Sequence, residues 1–146
     1  MTTNDKQLSI YCDGGARGNP GPAACAFVAT SENGQLIHQQ GFYLGVATNN
    51  QAEYRAVIES LKWLSTLKQE SIIVNFYLDS QLVVNQINGN YKIKNVILEK
   101  LNSQIKKMII ENKIKIEKIV YIPRVKNFAA DSLVNQTLNK IPFSHL

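Results

Sequence analysis

The chain has 146 residues, 45% of them hydrophobic and 18% charged, with a formal net charge of +5. That length suits one domain with a single core, and the apolar share excludes a disordered chain. No apolar run reaches the length of a membrane span, and Cys12 and Cys25 form neither a disulfide framework nor a zinc spacing.

The first ten residues are polar and offer no signal-peptide core. The expectation is a single domain over residues 1–146, cytoplasmic, with two buried free thiols and no membrane partner. Charge is uneven. The segment from Tyr91 to Lys126 holds ten of the 16 Lys and Arg residues but three of the 11 acids. A basic half suits a polyanion partner, although a solvated lysine face gives the same pattern.

Lys6 to Cys12 alternates apolar and polar residues and predicts a strand, closed by Asp13. Asp13-Gly14-Gly15-Ala16-Arg17-Gly18-Asn19-Pro20-Gly21-Pro22 follows, a loop with little side-chain bulk that lets a ligand backbone approach. Ala23 to Thr30 predicts a second strand, Asn33-Gly34 a tight turn, and Gln35 to Tyr43 a third strand. Thr48 and Gln51 have the spacing of a capping box, opening a helix to about Lys68. Its apolar stripe is Tyr54, Val57, Ile58, Leu61 and Leu64, with Glu53 at the stripe's edge and Trp63 opposite it.

Ser71 to Leu78 is a β-branched run that predicts a central strand ending at Asp79. A short helix through Leu82, Val83 and Ile87 follows, stopped by Gly89. Asn95 to Ile110 predicts the next helix, Ile114 to Ile122 a fifth strand stopped by Pro123, and Phe128 to Asn139 a last helix with Asp131 near its start. Strands first, then helices alternating with strands, give an α/β layered domain.

Four acids occupy related places. Asp13 and Asp79 close strands, while Glu53 and Asp131 sit in first helical turns. Singly, each is explained by turn chemistry or by the helix dipole. Together, ionised acids need cations, because like charges raise one another's pKa. Oxygen-only ligands select hard ions such as Mg²⁺ or Mn²⁺, and two such ions suit phosphodiester hydrolysis.

The sequence here resembles the type 1 branch of the ribonuclease H family, from about Gln7 to about Asn139. The residues that carry the likeness are Tyr11 to Pro22, Thr48-Asn49-Asn50-Gln51-Ala52-Glu53-Tyr54, Leu78-Asp79-Ser80 and Asn127-Phe128-Ala129-Ala130-Asp131. The resemblance implies a five-stranded mixed sheet in the order 3-2-1-4-5, with helices on both faces. It implies endonucleolytic cleavage of the RNA strand of an RNA–DNA hybrid, leaving 3′-hydroxyl and 5′-phosphate ends, by a monomer. Asp13, Glu53, Asp79 and Asp131 match the family's four metal-binding carboxylates, holding two Mg²⁺ ions with Mn²⁺ as substitute. Asn19, Asn49 and Asn50 match contacts to RNA 2′-hydroxyls, and Thr48 matches a contact to a DNA phosphate. Gly14 and Gly15 fall at the substrate backbone.

Two departures stand out. The loop Pro123-Arg124-Val125-Lys126-Asn127 lacks the histidine that many members carry there. His38 reads as a strand residue, His145 lies at the C-terminus, and Arg124 or Lys126 is the electrostatic substitute at the substrate. The connection from Gly89 to Asn95 is too short for the basic helix and loop with which some relatives grip the hybrid. Lys92, Lys94, Lys100, Lys106 and Lys107 are the candidates for a partial replacement, with a weaker, salt-dependent grip expected. Double-stranded RNA is the secondary substrate the shortened pattern admits, and a non-cleaving binding module is the other reading.

Overall fold

The computed structural model describes residues 6–68 and 71–141. His145 lies outside them. Five strands, β1 (Lys6–Ala16), β2 (Gly21–Ser31), β3 (Leu36–Ala47), β4 (Ile72–Leu78) and β5 (Lys115–Tyr121), form one sheet in the order β3-β2-β1-β4-β5. The β1–β2 and β2–β3 pairs are antiparallel, and β1–β4 and β4–β5 are parallel. The helices are α1 (Asn49–Thr66), α2 (Gln81–Ile87), α3 (Val96–Glu111) and α4 (Phe128–Asn139), the last preceded by a 3₁₀ turn at Arg124–Asn127. The order and the mixed pairing agree with the expected fold.

The sheet separates two cores. Ile10, Cys12, Phe27, Phe76 and Leu78 point to the face that carries α1 and α3. On the other face Ala24 and Ala26 give α4 a shallow floor on which Val134 and Leu138 rest. Each face has a glycine under its helix. A Cβ on Gly14 would lie 2.2 Å from the carbonyl carbon of Ala52 in α1, and one on Gly41 would lie 2.1 Å from Thr137 Oγ1 in α4. Both distances are below contact, so the absent side chains set how closely each helix seats.

Two local expectations change. β1 does not stop before Asp13 but runs on to Ala16, because Gly14, Gly15 and Ala16 stay paired with Cys25, Ala24 and Ala23. Trp63 is not on an idle face of α1. It stacks on the half-buried His38 of β3 at 5.0 Å and lies 5.7 Å from the Phe27 ring of β2, so both strands help to cover it. Lys106 donates to the carbonyl of Ile87 at the end of α2, and Lys107 pairs with Glu111. Both lysines stay exposed, as do Lys92, Lys94 and Lys100 between α2 and the first turns of α3. Among the described residues, no helix is long and apolar enough to cross a membrane. Cys12 and Cys25 are free and buried, and burial pushes the Cys25 thiol up to about 12.

Candidate active site

Asp13 is delivered by the central strand of the sheet and sits opposite Ala26, with 6% of its surface exposed. Glu53, also 6% exposed, comes from the first turns of α1. The capping box at Thr48 is present: Gln51 N donates to Thr48 Oγ1 at 3.1 Å, and Thr48 N donates to Gln51 Oε1 at 3.0 Å. That cap fixes where α1 begins, and the Gly14 seat fixes how near it lies to β1. Glu53 Oε1 consequently accepts the Gly14 amide at 3.2 Å. Asp79 follows β4, which runs parallel to β1 beside it.

Carboxylate oxygens of Asp13, Glu53 and Asp79 all lie within 4.8 Å of one another. Asp131, in the first turn of α4, lines the same cleft and accepts Arg124 Nη2 at 3.3 Å. The cleft is about 410 Å³ and also exposes Gly15, Asn49 and Asn135. Burial pushes the Asp13 carboxyl up to about 7, and the charges of Asp79 and Asp131 add to the rise. Burial, then the Asp13 charge, raises Glu53 well above its ordinary range.

Such a pair is costly without a counter-ion. Glu53 Oε2 is buried with no hydrogen-bond partner. An unpartnered, inward-facing carboxylate oxygen beside two more acids is a donor set for a hard divalent cation. The residues present thus fit the metal that the fold implies.

The expected polar contacts divide. Asn49 Oδ1 accepts the Ala16 amide at 2.8 Å, and Asn19 Oδ1 accepts the Asn49 amide at 3.0 Å. Both carbonyl oxygens are engaged, so the side-chain NH₂ groups remain as outward donors. Asn19, Thr48 and Asn50 lie outside the cleft itself, along the start of α1 and the loop before β2. The two glycines also divide. Gly14 is required by α1, whereas a Cβ on Gly15 would have Asn49 Oδ1 no nearer than 3.8 Å. Packing leaves Gly15 unexplained, and its bare backbone lines the cleft.

One residue escaped the list of candidates. Asn127 is 1% exposed, and its Nδ2 donates to the Cys12 carbonyl at 2.8 Å and to Asp79 Oδ2 at 3.3 Å. It ties the 3₁₀ turn to β1 and orients Asp79 toward the other acids. Its sequence signal is faint, since an Asn before a helix reads as a cap; here it makes no cap hydrogen bond.

The ribonuclease H family model matches residues 5–139. Ribonuclease HI of Halobacterium salinarum is 35% identical over 133 residues, 91% of this chain and 65% of that protein. A bifunctional protein of Mycobacterium tuberculosis is 36% identical over 135 residues, 91% of this chain and 36% of that protein. The chain thus spans less than two thirds of these relatives' length. Among solved structures, LC11-RNase H1 from compost, in complex with an RNA/DNA hybrid, superposes with a TM-score of 0.87 at 41% identity, covering 91% of this chain and 97% of that one. RNase H1 of Halobacterium salinarum superposes with a TM-score of 0.84 at 32% identity, covering 92% and 99%. With the family model matched from the strand that carries Asp13 to the helix that carries Asp131, this chain belongs to the ribonuclease H family.

Proposed function

We propose that this chain is a metal-dependent endonuclease that hydrolyses the RNA strand of RNA–DNA hybrids, leaving 3′-hydroxyl and 5′-phosphate ends. The observation that carries the reading is the convergence of Asp13, Glu53 and Asp79 within 4.8 Å, with a buried Glu53 oxygen left unpartnered. The hybrid bound by LC11-RNase H1 supports the substrate class.

When bound, two Mg²⁺ or Mn²⁺ ions neutralise the carboxylates and supply Lewis acidity to the attacking and leaving oxygens of a phosphodiester. Asp13, Glu53, Asp79 and Asp131 would hold the ions. The NH₂ groups of Asn19 and Asn49, with Asn50 beside them, donate to ribose 2′-hydroxyls, which is how RNA is told from DNA. Thr48 Oγ1 accepts its cap bond yet keeps one O–H to donate to a DNA phosphate. Gly15 leaves room for the backbone being cut. Arg124 places a cation where the loop has no histidine. The protein acts as a monomer in the reducing cytoplasm that its two free thiols suit.

The test is to incubate labelled hybrid, double-stranded RNA and single-stranded RNA with the pure protein and Mg²⁺ or Mn²⁺. Cleavage of the hybrid's RNA strand alone or first is expected. No cleavage of any substrate would leave a binding module, and faster cutting of double-stranded RNA would replace the substrate. Asp79→Asn is expected to abolish cleavage while hybrid binding persists.

A further inference from the structure

Two apolar side chains stand exposed close in sequence to Arg124 and Asp131, which line the cleft. Phe128 is 73% exposed and Val125 is 82% exposed. Single exposed apolar residues need no explanation. These two lie in and beside a 3₁₀ turn that is tied to β1 by the buried Asn127, and Val125 stands between the cations Arg124 and Lys126. The direction of Phe128 is set by α4. Asp131 and Asn135, four residues apart, line the cleft, and Phe128 is three residues before Asp131. Residues at that spacing share one helical face, so Phe128 extends the cleft-lining stripe to the rim. Helical side chains also lean toward the N-terminus, which carries the ring outward past Asp131.

The last residues of β1 give the layout. Asn127 attaches at Cys12, Asp13 is next, Glu53 attaches at Gly14, and Asn49 attaches at Ala16. The 3₁₀ turn and the asparagines therefore flank the acids from opposite sides. Four residues of strand span about 13 Å, room for roughly two nucleotides of a backbone.

Resting on the hybrid-cleaving reading above, we propose that Phe128 and Val125, flanked by Arg124 and Lys126, form a substrate-contacting rim. It receives the sugar–phosphate backbone of the cut strand on the side away from Asn19 and Asn49. The cations meet phosphates, and the apolar pair packs on ribose faces. Charge complementarity and continuity with the cleft select a nucleic-acid strand as occupant over a second copy of this chain.

The experiment compares the wild type with the double variant Phe128→Ser, Val125→Ser. Both sites are exposed, so the melting temperature is expected to stay the same, which shows that the variant is folded. On a long hybrid KM is expected to rise about fivefold to tenfold, with most of the loss in KM rather than kcat. Two shorter hybrids, trimmed on one side or the other of the cleavage point, locate the contact. On only one of them should the two proteins become equal. Equal KM values on the long hybrid, from a wild type that cleaves it, would overturn the rim and leave the parent reading intact. So would a wild-type dimer in sedimentation that the double variant disrupts. A wild type that cuts no hybrid would instead remove the parent reading.

Discussion

Asp13 and Glu53 are buried, while Asp79 and Asp131 are half-exposed. The inner pair is positioned by the fold: a strand paired on both sides, a capped helix, and a glycine that lets the two touch. The outer pair is positioned by side chains, Asn127 for Asp79 and Arg124 for Asp131. Without a cation the inner acids are held close together out of water, where like charges oppose each other. The outer acids can relax into water. The same four groups thus combine a rigid half and an adjustable half, and substitutions should separate the halves.

The largest difference should come from the inner pair. Asp13→Asn is expected to lower kcat by on the order of a thousandfold or more, the scale for a group acting in the transition state. In chelator it should make the protein more stable, by about 1–2 kcal/mol or roughly 5 °C in Tm, because a buried charge beside Glu53 is gone. Asp131→Asn should gain nothing in Tm, since its carboxyl already reaches solvent and Arg124. Differential scanning calorimetry with and without Mn²⁺ separates them. Ion at about a hundred times its Kd should add roughly 2.7 kcal/mol to the wild type, and much less to Asp13→Asn. Equal Tm changes for the two variants would erase the distinction.

A second break tests the seat of α1. Gly14→Ala places a Cβ against the Ala52 backbone, so α1 must move and Glu53 with it. A loss of at least about 3 kcal/mol, roughly 10 °C in Tm, is expected. Gly15→Ala meets no such obstacle. It should keep the Tm and lose activity, because its methyl stands in the cleft. Thermal melts paired with cleavage assays distinguish a glycine the fold requires from one the substrate requires.

The contrast also explains what was legible in the sequence. Strand and helix positions followed from periodicity and turn residues, the strand order came only with the family resemblance, and the four acids followed from their places at strand ends and helix starts. Those are local signals. Three features were not local. That Gly14 serves α1 depends on a helix 38 residues away. That Asn127 serves Asp79 depends on a hydrogen bond across 48 residues. The pairing of Trp63 with His38 depends on how α1 lies against β3, 25 residues earlier in the chain. Packing across elements decides such roles, and neither propensity nor spacing contains it.

Asn127→Ala sharpens the outer half. It removes the donor to Asp79 and to the Cys12 carbonyl, leaving the latter unsatisfied. Loss of a group that orients a metal ligand typically costs about ten- to a hundredfold in metal affinity or activity. The metal concentration for half-maximal activity should rise correspondingly. A loss that excess Mn²⁺ cannot reduce at all would mean that Asn127 serves only the fold.

The smallest expected effect is at Arg124, and its form matters more than its size. The guanidinium is 78% exposed, and an exposed ion pair contributes about 0–1 kcal/mol to stability. Arg124→Ala should therefore leave Tm unchanged and reduce kcat/KM by only a few-fold at low salt. Two roles predict different patterns. An arginine that restrains Asp131 makes the loss vanish in an Asp131→Asn background, because its partner's charge is already gone. An arginine that meets a phosphate makes the two losses multiply, and Arg124→Lys keeps most of the rate while the salt dependence of KM stays steep. Since Arg124 and Lys126 are both exposed on the 3₁₀ turn, the phosphate role predicts multiplication. A double-mutant cycle on one hybrid measures which pattern holds, and complete non-additivity would assign Arg124 to the outer acid alone.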